Sequence, residues 1–293
     1  MRISFIGLGI MGKPMSKNLL KAGYQLCVYD IVAEAVDEVA RAGAMPAASA
    51  AEAAADADII ITMLPNSPQV KDVLLGSGGV IQAARSGALI IDMSSIAPEA
   101  SRECEAAARA AGLRMIDAPV SGGEPKAIDG TLSIMCGGAQ ADFDEAYPLL
   151  MKMGASAVLC GPVGSGNVTK LCNQIIVGVN IAAMGEALTL AAKAGVSPET
   201  VYKAIRGGLA GSVVLDAKAP KVMKRDFQPG FRVDLHIKDL RNAMETAGAI
   251  GSPTPFTEQV LAIMEQLSAA GEGQCDHCDV VRYFERIAGV EIK

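Results

Sequence analysis

The sequence predicts an α/β protein in which a domain built on a mostly parallel sheet leads into an all-α domain, the two joined by a long interdomain helix. Three observations carry this reading. Short apolar runs alternate with alanine-rich helical stretches over about the first 130 residues, the pattern of a parallel sheet with crossover helices. A long helical stretch follows at about 168–194, closed by Gly195 and a fresh helix start at Ser197-Pro198-Glu199. Beyond it the chain reads as further helices with few strand signals. The 293 residues suit two domains, expected at 1–162 and 163–293.

Taken in order, the expected strands are 3–6, 25–29, 59–63, 89–92, 114–117 and 132–136. Helices are expected at 31–42 and 98–111, and Gly164, Gly166 and Asn167 read as a loop before the long helix. Composition agrees: 51% of the residues are hydrophobic, only 4% are aromatic and Trp is absent, which favours packed helices and a parallel sheet over an antiparallel sandwich.

Charge and cysteine usage exclude several classes. A net charge of −6 leaves no basic footprint for nucleic acid. Seven scattered cysteines do not form a secreted disulfide framework, so a reducing cytoplasm is expected. The first residues enter a strand directly, without a signal-peptide pattern. The most membrane-like segment, 175–196, is interrupted by Asn180, Glu186 and Lys193 and reads as a helix buried between domains rather than a span.

The first expected strand runs straight into Gly7-Leu8-Gly9-Ile10-Met11-Gly12, and a helical run follows. In that setting GxGxxG has a mechanism. Gly7 permits the tight turn, Gly9 lets the backbone approach a pyrophosphate, and Gly12 allows close helix–strand packing. The helix N-terminus adds unpaired N–H groups and partial positive charge. A GxGxxG can be merely a turn, but the second expected strand ends at Asp30, placed to accept the ribose hydroxyls of a dinucleotide. That makes the first domain Rossmann-type. The Asp30 carboxylate would repel a 2′-phosphate, and Ile31, Val32 and Ala33 offer no cation to receive one. NAD is therefore expected in preference to NADP, with NADP possible. Two further strand ends, Met63-Leu64-Pro65-Asn66 and Asp92-Met93-Ser94-Ser95, should line the same crevice while also serving as ordinary turns.

Two segments point to substrate chemistry. Paired glycines after a serine, at Ser121-Gly122-Gly123, let consecutive N–H groups converge on an anion such as a carboxylate. The same glycines also fit a plain positive-φ turn. Farther on, Lys170 and Asn173 lie three apart at the start of the long helix and project from one face. The face continues mainly apolar, which would leave Lys170 partly dry; desolvation lowers a lysine pKa toward the range of an effective general acid. The bland alternative is a lysine that snorkels to solvent.

Together the segments at 7–12, 117–132, 164–174 and 236–240 resemble the β-hydroxyacid dehydrogenase family, in the right order and over nearly the whole chain. The resemblance implies NAD(P)-dependent interconversion of a small hydroxy acid and its semialdehyde, and a homodimer or homotetramer. It also implies roles: Lys170 as the catalytic lysine, Asn173 as a substrate-orienting amide, and Ser121, Gly122 and Gly123 as the carboxylate-binding segment. Ser95 would contact the nicotinamide half of the cofactor, and Lys238 would reach the cofactor and active site. The stretch Arg232-Val233-Asp234-Leu235-His236 departs from the more apolar pattern of many relatives.

Rival readings are weaker. Cys275-Asp276-His277-Cys278 has C-x₂-C spacing but no second pair nearby, so no metal is expected. No Lys stands four residues after Tyr202, where Arg206 lies, so the Tyr-x-x-x-Lys signature is missing there. His236 as a general base would leave Asn173 and the glycine-rich approach to Lys170 unexplained. A non-catalytic NAD-binding sensor would keep Gly7, Gly9, Gly12 and Asp30 but would not need Lys170 with Asn173.

Overall fold

A computed structural model describes residues 1–292, which form two compact units, Met1–Lys170 and the residues from Leu171 onward. The first unit holds a six-stranded parallel sheet of β1 (Arg2–Ile6), β2 (Gln25–Tyr29), β3 (Met45–Pro46), β4 (Ile59–Thr62), β5 (Leu89–Asp92) and β6 (Arg114–Asp117). Their order across the sheet is β3-β2-β1-β4-β5-β6. The chain thus winds outward one way from β1 and then the other way from β4, and ligands of such sheets sit beyond the carboxyl ends at that switch.

Burial on both faces explains the near-continuous apolar strands. Ile3, Phe5, Ile59, Ile61, Leu89 and Ile91 face one core, whereas Ile6, Ile60 and Ile90 face the other. Successive side chains of a strand point to opposite faces, so every position needs an apolar residue.

A second, three-stranded sheet comprises β7 (Val120–Ser121), β8 (Leu132–Cys136) and β9 (Gly154–Leu159), with β7–β8 antiparallel and β8–β9 parallel. The expected strand at 132–136 is therefore real but belongs to this sheet. The strands β3, β7 and β9 were not expected. Two are only two residues long, and β9, with the sequence GASAVL, exposes half its small side chains. Another departure lies at the entrance to the long helix, which spans Ser165–Lys193. Gly166 and Asn167 lie inside it rather than in a loop, because Asp117 caps its first turn, as described below.

The second unit is helical, with Pro198–Ile205, Val213–Met223, Val233–Ile250, Pro255–Leu267 and Val280–Ala288 following the long helix, apart from a single bridge between Arg232 and Asp276. Its cores gather Ile181, Val233, Ile237, Leu240 and Met264 in one cluster and Met184, Leu188, Leu215 and Val222 in another. The long helix is long and apolar enough to cross a membrane, with a mean hydropathy of 1.8 in its most apolar window. Of that stretch, 39% is buried within the chain. Ile176 and Leu190 are exposed along it.

Candidate active site

The glycine-rich turn is built as its spacing predicts. Gly7 has φ +98°, and its N–H donates to the Tyr29 carbonyl at 2.9 Å. A Cβ at Gly7 would fall 2.3 Å from the Met63 carbonyl oxygen, and one at Gly12 would fall 1.9 Å from the Gly7 carbonyl oxygen. Both positions therefore exclude any side chain. At Gly9 the same construction meets nothing within 4 Å. The turn is open on that side, which is compatible with close approach of a pyrophosphate to the backbone. Leu8 is buried beneath the turn, Ile10 is exposed and Met11 half-buried, and the helix Gly12–Lys21 begins at once.

Asp30 stands at the end of β2, half-buried, and its two carboxylate oxygens accept the N–H groups of Leu8 at 2.5 Å and Val32 at 2.8 Å. The acid is thus tied to the glycine turn itself. A carboxylate has about four acceptor positions, so these two amides leave it capable of further hydrogen bonds. Met63 donates its N–H to the Ile6 carbonyl, which brings the end of β4 beside β1. Leu64 N–H donates to Ser94 Oγ at 2.8 Å, and Thr62 Oγ1 donates to Asp92 Oδ1 at 2.8 Å, joining the tips of β4 and β5. Pro65 is exposed, Asn66 precedes the helix Ser67–Leu75, and Ser95 is half-buried at the tip of β5. Gly7, Gly9, Gly12, Asp30, Met63, Leu64, Pro65, Asn66 and Ser95 therefore gather at the carboxyl ends of neighbouring strands. These residues fit a dinucleotide.

Ser121 ends β7 on the separate sheet, Gly122 follows it, and Gly123 opens the helix Gly123–Asp129. Gly122 (φ +144°) and Gly123 (φ +71°) both adopt left-handed backbone, as the turn reading requires. Asp117, at the end of β6, is fully buried and accepts the N–H groups of Gly164 and Asn167, each at 2.7 Å. Two otherwise orphaned donors of the helix start are satisfied in this way. Burial is the main reason that the Asp117 carboxyl is pushed up to about 6 from 3.8; these two amides oppose the rise, and the nearby Asp92 adds to it. Asn167 is buried too: its side-chain oxygen accepts from Ile96 N–H at 3.0 Å, and its amide donates to Ser101 Oγ at 3.0 Å. One turn on stands Lys170, 7% exposed. Lys170 does not snorkel into solvent.

In the second unit, Asn173 Nδ2 donates to Gln174 Oε1 at 2.8 Å, and Gln174 Nε2 donates to Asp239 Oδ2 at 2.5 Å. Asp239 also pairs with Lys238 Nζ at 2.9 Å. Asn173 and Lys238, expected from sequence to act in one site, are thus connected through Gln174 and Asp239. His236 is fully buried, with Nε2 3.1 Å from the Gln174 carbonyl oxygen and Nδ1 3.0 Å from His277 Nδ1. A ring engaged at both nitrogens is badly placed to act as a general base. Cys278 is buried and Cys275 half-buried, and burial is the main reason that both thiols are raised. Among the described residues no three of His, Cys, Asp and Glu are grouped to hold a metal ion.

Sequence reasoning missed Asp117, Asn167, Gln174, Asp239 and His277. Each acts through a long-range hydrogen bond to a residue 20 or more positions away, which neither period nor motif reveals. A usable signal was present all the same: a run of polar residues at the head of an otherwise apolar helix needs partners.

Comparison with known proteins agrees with this construction. Residues 2–162 match the family model of the NAD binding domain of 6-phosphogluconate dehydrogenase, and residues 164–284 that of the NAD-binding region of NADP-dependent 3-hydroxyisobutyrate dehydrogenase. The chain is 42% identical to 2-hydroxy-3-oxopropionate reductase of Escherichia coli K12, covering 98% of each chain. It is 39% identical to an NAD-dependent L-serine dehydrogenase of Pseudomonas aeruginosa, over 98% of this chain and 99% of that one. Among solved structures, Mycobacterium tuberculosis 3-hydroxyisobutyrate dehydrogenase with L-serine superposes with a TM-score of 0.89 at 35% identity, over 96% of this chain and 98% of that one. A switch-point glycine turn, NAD(P)-binding segments along most of the chain and relatives of this similarity lead to one conclusion: the chain belongs to the β-hydroxyacid dehydrogenase family of NAD(P)-dependent oxidoreductases.

Proposed function

We propose that this enzyme reduces tartronate semialdehyde (2-hydroxy-3-oxopropanoate) to D-glycerate, reversibly, with Lys170 as general acid and base. The observation that carries the reading is the burial of Lys170 on the first turns of the long helix, one turn beyond the Asp117-capped start. When bound, the dihydronicotinamide supplies the hydride. Lys170 would protonate the developing alkoxide and stabilise its charge beforehand. Asn173 would hold that oxygen in line through an amide N–H. Ser121 with the amides of Gly122 and Gly123 would bind the carboxylate and orient the carbonyl. Gly7 to Gly12, Asp30, the segment Met63 to Asn66, Ser95 and Lys238 would hold the cofactor, and Asp30 would favour NAD over NADP. Residues 1–162 would form the cofactor domain, and 163–293 the substrate and oligomerisation domain.

The substrate assignment rests on the similarity to 2-hydroxy-3-oxopropionate reductase and on the segments at 63–68, 122–132 and 205–212, which resemble that enzyme. Dehydrogenation of 3-hydroxyisobutyrate, or reduction of succinic semialdehyde to 4-hydroxybutyrate, would use the same carboxylate-holding and proton-donating parts. A non-catalytic sensor would have no use for a buried lysine beside a substrate-orienting amide. A homodimer or homotetramer would cover the apolar surface of Leu190 and Ile287, 71% and 70% exposed, and the cytoplasm is the expected compartment.

The test is a panel of small semialdehydes with NADH, comparing kcat/KM. Tartronate semialdehyde should lead. A tenfold advantage for the 3-hydroxyisobutyrate aldehyde or for succinic semialdehyde would reassign the substrate, and no NADH oxidation with any of them would remove the enzyme reading.

A further inference from the structure

We propose that Gln174 is a positioning residue for Asn173, locked in place by the buried pair His277–His236. The proposal rests on the reading of Asn173 as the amide that orients the reacting oxygen. Both the direction of each amide and the tautomer of each ring follow from the partners. Asp239 is fully buried beside Lys238 and, as a carboxylate, only accepts, so the group it meets must be the Gln174 NH₂. Gln174 Oε1 then faces Asn173, and the Asn173 group in contact with it must in turn be NH₂. One acceptor thus fixes the orientation of two successive amides. With one hydrogen of Asn173 directed at Gln174, the plane of the amide fixes the direction of the second.

The main chain of Gln174 is held from the other side. Its carbonyl oxygen can only accept, so His236 Nε2 carries a proton and donates to it across 3.1 Å. In the neutral ring His236 Nδ1 is then an acceptor, and His277 Nδ1, 3.0 Å away, must be the donor. Both rings cannot be doubly protonated, because two N–H groups would then face each other at that distance. The charged groups nearby favour His277 for any extra proton. Its Nε2 lies 4.0 Å from Asp276, a buried carboxylate that is shared with Lys218 Nζ at 2.8 Å. His236 accordingly keeps its Nε2–H on the Gln174 carbonyl.

The pair thereby acts as a directional strut between the helix Val233–Ile250 and the long helix, and neither ring enters proton exchange with substrate. Since misplacement of a reacting group by about 1 Å costs orders of magnitude in rate, the effect should appear in turnover.

The experiment uses the full-length enzyme with tartronate semialdehyde and NADH. Gln174→Met should lower kcat about tenfold or more while the dissociation constant for NADH is unchanged. His236→Gln, which keeps an N–H within reach of the Gln174 carbonyl, should retain most of the turnover lost in His236→Leu. Equal kcat in these two His236 variants, or an effect of Gln174→Met on NADH binding alone, overturns the proposal. Should a variant fail to fold, ¹⁵N-imidazole NMR of the wild type decides, because the chain has only two histidines. One ring should be protonated at Nε2 and the other at Nδ1 near neutral pH, and two rings in the same tautomer overturn the proposal. Lys170→Ala separates the two readings. Undiminished turnover in that variant removes the active-site reading, whereas its loss beside an undisturbed Gln174→Met removes only this inference.

Discussion

The Asp117 carboxylate accepts the main-chain N–H of Asn167 across 2.7 Å, and so a strand end of the first unit sets the starting turn of the helix that carries Lys170. The same carboxylate takes the Gly164 N–H. Because burial raises this acid to about 6 from 3.8, the folded chain holds a proton that the unfolded chain has lost between those values. The contribution to stability is therefore complete below pH 3.8, falls as pH rises through about 6, and is flat above it. Its size is on the order of 3 kcal/mol. Asp117→Asn removes the titration, so the melting temperature of the variant should show a shallower decline than wild type across this window. It should also lie several degrees lower near neutral pH, because an amide NH₂ faces one of the two donors. Thermal melts at closely spaced pH check both, and parallel curves would refute the assignment.

Lys170→Ala should reduce kcat on the order of 10² to 10⁴-fold while NADH still binds. Steady-state kinetics paired with NADH fluorescence titration measures the two effects separately. Retained turnover would mean that another group supplies the proton.

The glycine turn allows a contrast between two similar substitutions. Gly12→Ala places a methyl group on the Gly7 carbonyl, so it should destabilise the fold by at least about 2 kcal/mol, visible as a lower melting temperature. Gly9→Ala meets nothing in the protein and should leave the melting temperature unchanged while raising KM for NADH about tenfold or more. An unchanged KM for NADH in Gly9→Ala would show that the open side of the turn has no bearing on the cofactor.

The proposed role of Asp30 makes cofactor preference a test. The wild type should have a kcat/KM at least about tenfold greater with NADH than with NADPH, since a carboxylate beside a 2′-phosphate is repulsive and the adjoining Ile31, Val32 and Ala33 supply no cation. Equal or better use of NADPH would contradict this.

Much of the fold was legible because its signals are local and strong. The runs 25–29, 89–92, 114–117 and 132–136 became strands at the expected positions, and the Gly7–Gly12 turn formed where strand and helix required it. The helix at 98–111 closed one residue early, and that at 31–42 was trimmed to Ala33–Ala40. Met45–Pro46 and Val120–Ser121 were illegible because two residues carry no period; they exist only because neighbouring strands pair with them. Asn167 is the clearest misreading. Gly and Asn signal a loop by propensity, yet buried partners at Asp117, Ile96 and Ser101 draw the residue into the helix. Propensity gave way to tertiary hydrogen bonds.

The bond from Leu8 N–H to Asp30 has a consequence for redesign. Exchanging this acid for a small neutral residue is the obvious route to a phosphorylated cofactor, yet it also removes an anchor of the glycine turn. Selectivity and loop rigidity are joined in one side chain, so relaxing the first loosens the second. A successful swap needs a replacement acceptor for that amide along with a new cation.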